Sequence, residues 1–237
     1  MDMREARAMV KAMRDTEGRA PEGLAEGVLA GLGLVDAWTE IDGPIGPLYV
    51  AWSETTGITA AERAGDPDGF ETEYELRHGR PARRVAEMPA AMRSQIEKRF
   101  EGQRTQGPRV DLDTLTEFER AVLLKTMEIP YGEVRPYSWV AREIGRPKAV
   151  RAVGSALAGN PITFVIPCLR VVRADGHIGN FGAGGPTAKR EVLELEGIDV
   201  DELERSAGAG VRYTGSDTTN IYCYPSCRHA RRTMARH

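Results

Sequence analysis

Residues 137–172 read YSWVAREIGRPKAVRAVGSALAGNPITFVIPCLRVV. Glycine and proline punctuate this stretch, and they predict a short helix over 138–144 and a turn at Gly145-Arg146-Pro147. A second helix is predicted over 147–158, stopped by Gly159-Asn160-Pro161. Helix, tight glycine turn, helix is the helix-turn-helix outline, whose second helix is free to enter a DNA groove. Many helical hairpins share that outline, but this one carries Arg142, Arg146, Lys148 and Arg151. After it comes an apolar, β-branched and therefore strand-like run, in which Cys168 directly follows Pro167. A lone cysteine in such a run is ordinarily inert and buried. Against that reading stand Arg170 beside the thiol and a glycine-rich run over 176–185, because glycines let a backbone approach a ligand closely.

The charge around this stretch is one-sided. From Arg135 to Arg173 there are 7 basic residues and a single acid, Glu143, in a chain whose net charge is -3. A solvated helix face usually mixes both signs, so the asymmetry suits a protein that meets an anion on one face. The acidic total excludes a wholesale basic coat. With 237 residues, 41% hydrophobic and 28% charged, the chain can build one large or two modest cores, and disordered, collagen-like and coiled-coil classes are excluded. No apolar run approaches the length of a membrane span, and the charged N-terminus lacks the apolar stretch of a signal peptide. Three cysteines do not make a disulfide scaffold, so a reducing cytoplasm is the expected location.

Outward from the centre, Thr116 and Glu119 have capping-box spacing, and Phe118, Val122, Leu123 and Met127 follow at helical intervals until Pro130 and Gly132. Upstream, strand-like pieces at 38–41, 48–52 and 58–61 form a small meander with a turn at Asp42-Gly43-Pro44. Helices are predicted over 70–77 and 88–100, and residues 103–108 read as a linker. Met3, Ala6, Met9, Val10 and Met13, then Leu24, Val28, Leu29 and Leu32, predict two short N-terminal helices that pack onto something else.

Five ordered blocks carry a resemblance. They are Pro130-Tyr131-Gly132-Glu133-Val134, the run 148–154, Gly159-Asn160-Pro161, the run 166–172, and Leu195-Glu196-Gly197. Together they resemble the C-terminal domain of the O6-alkylguanine-DNA alkyltransferases, the methylated-DNA–protein-cysteine methyltransferases, over about residues 112–198. Residues from about 38 to 108 resemble that family's less distinctive N-terminal domain. The fold implied is α+β: a small N-terminal sheet-and-helix domain, then a winged-helix-like helix-turn-helix domain. The divisions expected are 1–35, 36–108, 109–200 and 201–237. The resemblance implies that Cys168 accepts the alkyl group, that Arg151 fills the space left by the flipped nucleotide, and that Tyr137 rotates the nucleotide and hydrogen-bonds the base. It implies that Asn160 braces the active-site turn and that Glu196 is the carboxylate of the hydrogen-bond network. Chemistry on a stacked base requires flipping, and a long inserted cation helps offset its cost. Ala149, Ala152 and Gly154 are small enough for close approach to a minor groove, and Lys148 and Arg170 join the expected DNA contacts. The partner implied is double-stranded DNA with a flipped alkylated guanine, met by a monomer, with no cofactor and no membrane.

The chain departs from the family pattern at one position that bears on reactivity. The family has Pro-Cys-His-Arg, whereas this chain has Pro167-Cys168-Leu169-Arg170. The thiolate is the nucleophile, and at an ordinary pKa of about 8.5 roughly a tenth or less is ionised near neutrality. Losing the activating histidine therefore predicts a slowed thiol. Glu196, deprived of histidine, needs another partner, for which Arg170 is the candidate; His177 is a candidate surrogate base. Phe181 replaces the family's usual tyrosine and keeps a stacking face without the hydroxyl. The rival readings are a lesion sensor resembling the alkyltransferase-like proteins and a helix-turn-helix transcriptional regulator switched by alkylation of Cys223.

The tail, residues 212–229, resembles the start of the zinc-binding, phosphotriester-repair domain of the adaptive-response protein Ada. Zinc favours four ligands, and Cys223, Cys227, His229 and His237 are the candidates, although their spacing is unfamiliar.

Overall fold

The computed structural model describes residues 24–103, 107–211, 214–215 and 222–223. The predicted helix over residues 3–13, most of the zinc candidates and the middle of the 103–108 segment lie outside them.

Helix α1, Leu24–Gly31, leads into a four-stranded sheet of order β3-β2-β1-β4. Strands β1 (Asp36–Gly43), β2 (Gly46–Ser53) and β3 (Gly57–Arg63) form the antiparallel meander that their alternating apolar residues predict. Beyond it, α2 (Pro67–His78) begins with Asp66 accepting a hydrogen bond from the Gly69 amide and ends at left-handed Gly79. That crossover delivers β4, Ala82–Arg84, parallel to β1, a strand too short and too charged to be read from the sequence. One sheet face packs Trp38, Tyr49, Phe70 and Tyr74 together. The other joins the main core.

The second half opens after α3, Ala90–Phe100. The capping box forms as spaced: Thr116 Oγ1 accepts from the Glu119 amide, the Glu119 carboxylate accepts from the Thr116 amide, and α4 runs over Glu117–Met127. Strand β5, Arg135–Pro136, precedes α5, Tyr137–Glu143, and α6, Val150–Ala158. Gly145, at φ 72°, supplies the left-handed residue that their turn needs. The recognition helix starts at Val150 rather than at Pro147, because residues 147–149 complete the turn.

The strand-like reading of the Cys168 stretch is corrected. Val171–Val172 (β6) forms a strand, pairing with β5, and Ile162, Thr163 and Ile166 make isolated bridges, while Cys168–Arg170 is a 3₁₀ turn. Two prolines, Pro161 and Pro167, remove donors that a ladder needs, and buried Phe164 turns the chain at φ 67°. Helices α7 (Gly185–Leu195) and α8 (Val200–Gly208) close the fold, and two-residue strands β7 (Thr214–Gly215) and β8 (Tyr222–Cys223) pair beyond them.

Both halves share one apolar core. Ile58 and Ala61 of β3 cluster with Val122, Leu123, Ile162 and Ile166. The edge of β3 is also hydrogen-bonded to the second half. The Ile58 amide donates to Arg109 O, the Ala61 amide to Pro161 O at 2.9 Å, and the Thr163 amide back to Ala61 O at 2.8 Å. Gly57 makes the first of these seams possible: its φ is 109°, and a Cβ there would overlap the Arg109 carbonyl oxygen. No helix among the described residues is long and apolar enough to cross a membrane.

Candidate active site

The thiol sits where the chain bends most tightly. Pro167, at φ -81° and ψ 61°, is the centre of an inverse γ-turn closed by the Cys168 amide donating to Ile166 O at 2.8 Å. Cys168 follows at 7% exposure. Asn160, just past the end of α6, commits its whole amide to this bend. Its Nδ2 donates to Ile166 O at 3.1 Å and to Cys168 Sγ at 3.2 Å, while its Oδ1 accepts from the Ile162 amide at 3.0 Å. Burial pushes the Cys168 thiol up from its ordinary value. The Asn160 hydrogen bond, the charge of Lys189, and the Cys168 and Leu169 amides pull in the opposite direction.

The position after the cysteine belongs to the core. Leu169 is 1% exposed and packs in the main apolar cluster. Arg170, also in the 3₁₀ turn, meets Glu196 through Nε (2.9 Å) and Nη2 (3.0 Å) and donates Nη1 to Ile129 O at 2.8 Å. Glu196 further accepts from the Gly132 amide, and the Tyr131 ring lies 5.5 Å from the guanidinium. Glu196 has thus found the partner expected for it. The expectation that Arg170 contacts DNA is overturned for the same reason: at 5% exposure, with its donors engaged inside, it does not reach a phosphate.

Tyr137 opens α5 and is half-buried. Burial, and then the negative charge of Cys168, raise its hydroxyl above the ordinary value. Gly154 of α6 lies beside the Tyr137 ring, with room there for a methyl group at ordinary contact distance. Arg151, Ala152, Lys148, Arg146 and Arg142 are exposed and Ala149 is half-buried, so α6 and the turn before it present a basic, small-residue face. Phe181 is buried edge-on against Phe164, with centroids 5.6 Å apart, so its ring is part of the packing. The surrogate-base idea for His177 fails: the residue is exposed at a turn, with Nδ1 4.0 Å from Glu204. Beside Asn160 a cleft of about 480 Å³ is lined by Ala61, Arg63, Thr163, Gly182 and Gly184 among others.

Two residues were missed by the sequence reading. Arg99 of α3 donates to Val165 O at 2.6 Å and to Met127 O at 3.1 Å, bracing the strained bend from the first half of the chain. Burial, and then Arg170, push it down to about 10. Lys189 of α7 is 1% exposed and donates to Val171 O at 2.6 Å. Its signal was present in the sequence, as a cation interrupting the apolar stripe of Ala188, Val192 and Leu193. Among the described residues no group of His, Cys, Asp and Glu is placed to hold a metal ion.

Fold and site together define a helix-turn-helix protein built around one buried, hydrogen-bonded thiol. Residues 117–198 match the family model described as 6-O-methylguanine DNA methyltransferase, DNA binding domain. The methylated-DNA–protein-cysteine methyltransferase of Mycobacterium leprae is 35% identical over 164 residues, covering 66% of this chain and 89% of that protein. The Mycobacterium bovis protein of the same name is 38% identical over 162 residues, with the same coverage. Among solved structures, Mycobacterium tuberculosis OGT in complex with DNA superposes with a TM-score of 0.53 at 32% identity, over 68% of this chain and 92% of that one. The chain belongs to the methylated-DNA–protein-cysteine methyltransferase family.

Proposed function

We propose that this protein repairs O6-alkylguanine in double-stranded DNA by moving the alkyl group irreversibly onto Cys168 Sγ. The observation that carries the reading is a buried cysteine hydrogen-bonded by Asn160, just past the end of α6, with exposed basic residues on that helix and the turn before it. In this reading α6 enters the groove with Ala149 and Ala152 at the closest approach. Lys148 meets phosphate, and Arg151 occupies the place of the flipped nucleotide. Tyr137, half-buried beside the thiol, directs its hydroxyl to the extruded base. Asn160 fixes the sulfur. Glu196, paired with Arg170, stiffens the turn instead of relaying a proton. The working parts are residues 36–108 and 109–200, flanked by 1–35 and 201–237, and the protein acts as a monomer without a cofactor, in the cytoplasm.

One observation favours a second reading, that of a lesion sensor. Leu169 fills the histidine position with hydrocarbon while burial raises the thiol, and both features slow alkyl transfer. Incubation with a duplex carrying one O6-methylguanine, followed by peptide mass spectrometry, separates the two. Methyl on Cys168, lost in Cys168→Ser, supports repair. Tight lesion-selective binding with an unmodified Cys168 overturns repair in favour of sensing, and binding to one DNA sequence regardless of damage indicates a regulator.

A further inference from the structure

Leu169 puts hydrocarbon beside the thiol and Arg170 of the same turn is spent on Glu196, yet a second cation is buried nearby on α7. We propose that the Lys189 ammonium is the charge partner that makes Cys168 usable as a nucleophile in this chain. The proposal rests on the alkyl-transfer reading and adds to it a positioning residue that acts through the sulfur.

Lys189 Nζ donates to Val171 O at 2.6 Å and to Asn180 O at 3.3 Å. Val171 directly follows the 3₁₀ turn that Cys168 begins, and Asn180 directly precedes Phe181, so the ammonium is fixed by the chain just beyond the thiol and by the glycine-rich loop. Two neutral carbonyls do not balance a charge, and a fully buried lysine with no counter-ion is rare in folded proteins. Among the described residues no carboxylate meets it. Helix α7 packs against the 3₁₀ turn that Cys168 begins, and across that contact the sulfur's charge raises Lys189 while the charge of Lys189 lowers Cys168. Burial brings Lys189 down to about 8. The remaining charges nearby are otherwise engaged. Tyr137 of α5 has its hydroxyl raised by burial and by the sulfur's charge, Arg170 and Glu196 close on each other, and Arg190 of α7 turns outward to Asp201 and Glu204.

The chemistry balances without any further reactant. The thiol gives its proton to water and leaves a thiolate opposite the ammonium. The sulfur lone pair forms the S–C bond as the C–O6 bond breaks. The pair from that bond stays on the guanine, which takes a proton from water at N1. Lys189 keeps its own proton throughout; it lowers the cost of the thiolate before transfer and faces a neutral thioether afterwards.

The test follows the rate of Cys168 carboxamidomethylation by iodoacetamide against pH in the full chain, with Lys189→Met compared to the parent. In a variant with unchanged circular dichroism, the midpoint is expected to rise by about one pH unit, with a rate near neutrality about tenfold lower. An unchanged midpoint overturns the proposal. A second measurement needs no substitution: the Lys189 side chain is titrated by nitrogen NMR before and after Cys168 is capped with iodoacetamide. In the parent the lysine signal is expected to report the ionisation of Cys168 as a second step that capping abolishes; identical curves before and after capping overturn the pairing. Because neither readout uses DNA, a midpoint shift without methyl transfer from O6-methylguanine supports the charge partnership while the repair reading falls. Methyl transfer without a shift does the reverse.

Discussion

At the scale of single residues, the reactivity of Cys168 is a contest between burial and a few fixed dipoles. Burial is the larger influence, so the thiol stays protonated at pH values where a free cysteine has ionised. Its rate with iodoacetamide is therefore expected to keep climbing above pH of about 8.5, the ordinary thiol value, where a free cysteine levels off. The sign for stability follows from the same shift. The folded state holds this proton more tightly than the unfolded chain, so the contribution is present below the unfolded pKa and lost as pH rises through the folded one. Asn160 opposes burial directly. Replacing it with alanine removes three hydrogen bonds and leaves the Ile162 amide unpaired, which is expected to cost about 1–3 kcal/mol in urea unfolding and to raise the thiol midpoint further. Cys168, Asn160 and the missing histidine were legible in the sequence because they lie in contiguous blocks. Arg99 was not, and Lys189 showed only as a cation in an apolar stripe, because what each does depends on which helix face the tertiary packing closes.

At the scale of elements, local signals read well and bent ones did not. The Thr116 capping box and the Gly145 turn are written in adjacent residues, and both formed as read. The 163–170 stretch has strand composition but folds as two tight bends, since the left-handed Phe164 is imposed by its packing against Phe181 and not by its own preference. The element proposed to face DNA is α6. Arg151→Ala is expected to slow methyl transfer from duplex O6-methylguanine by at least about tenfold while leaving reaction with free O6-benzylguanine unchanged, because a free base needs no flipping. Equal losses on both substrates would move Arg151 into the pocket. At the edge of β3, Gly57→Ala forces a Cβ against the Arg109 carbonyl in a left-handed backbone, and about 1–3 kcal/mol of lost stability is expected in the same urea assay.

At the scale of the whole molecule, the shared core predicts how the chain comes apart. Ile58 and Ala61 pack with Val122 and Ile166, Arg99 reaches from α3 to Val165, and Thr163 hydrogen-bonds Ala61. Residues 36–103 and 107–208 are therefore expected to unfold in one calorimetric transition, with the van't Hoff and calorimetric enthalpies equal. Two resolved transitions would contradict a common core. The hydrogen bonds along β3 have one more consequence. An unpaired strand edge is a template for another chain, and proteins protect such edges by covering them or by keeping them short and charged. Here the residues around Arg109 and Pro161 cover one end of the sheet, while the other ends in three residues, two of them arginines. The segment that leads into the cysteine bend is thus also the cover of a sticky edge. Damage that loosens it would expose β3 to self-association, so light scattering would register the injury alongside the loss of activity.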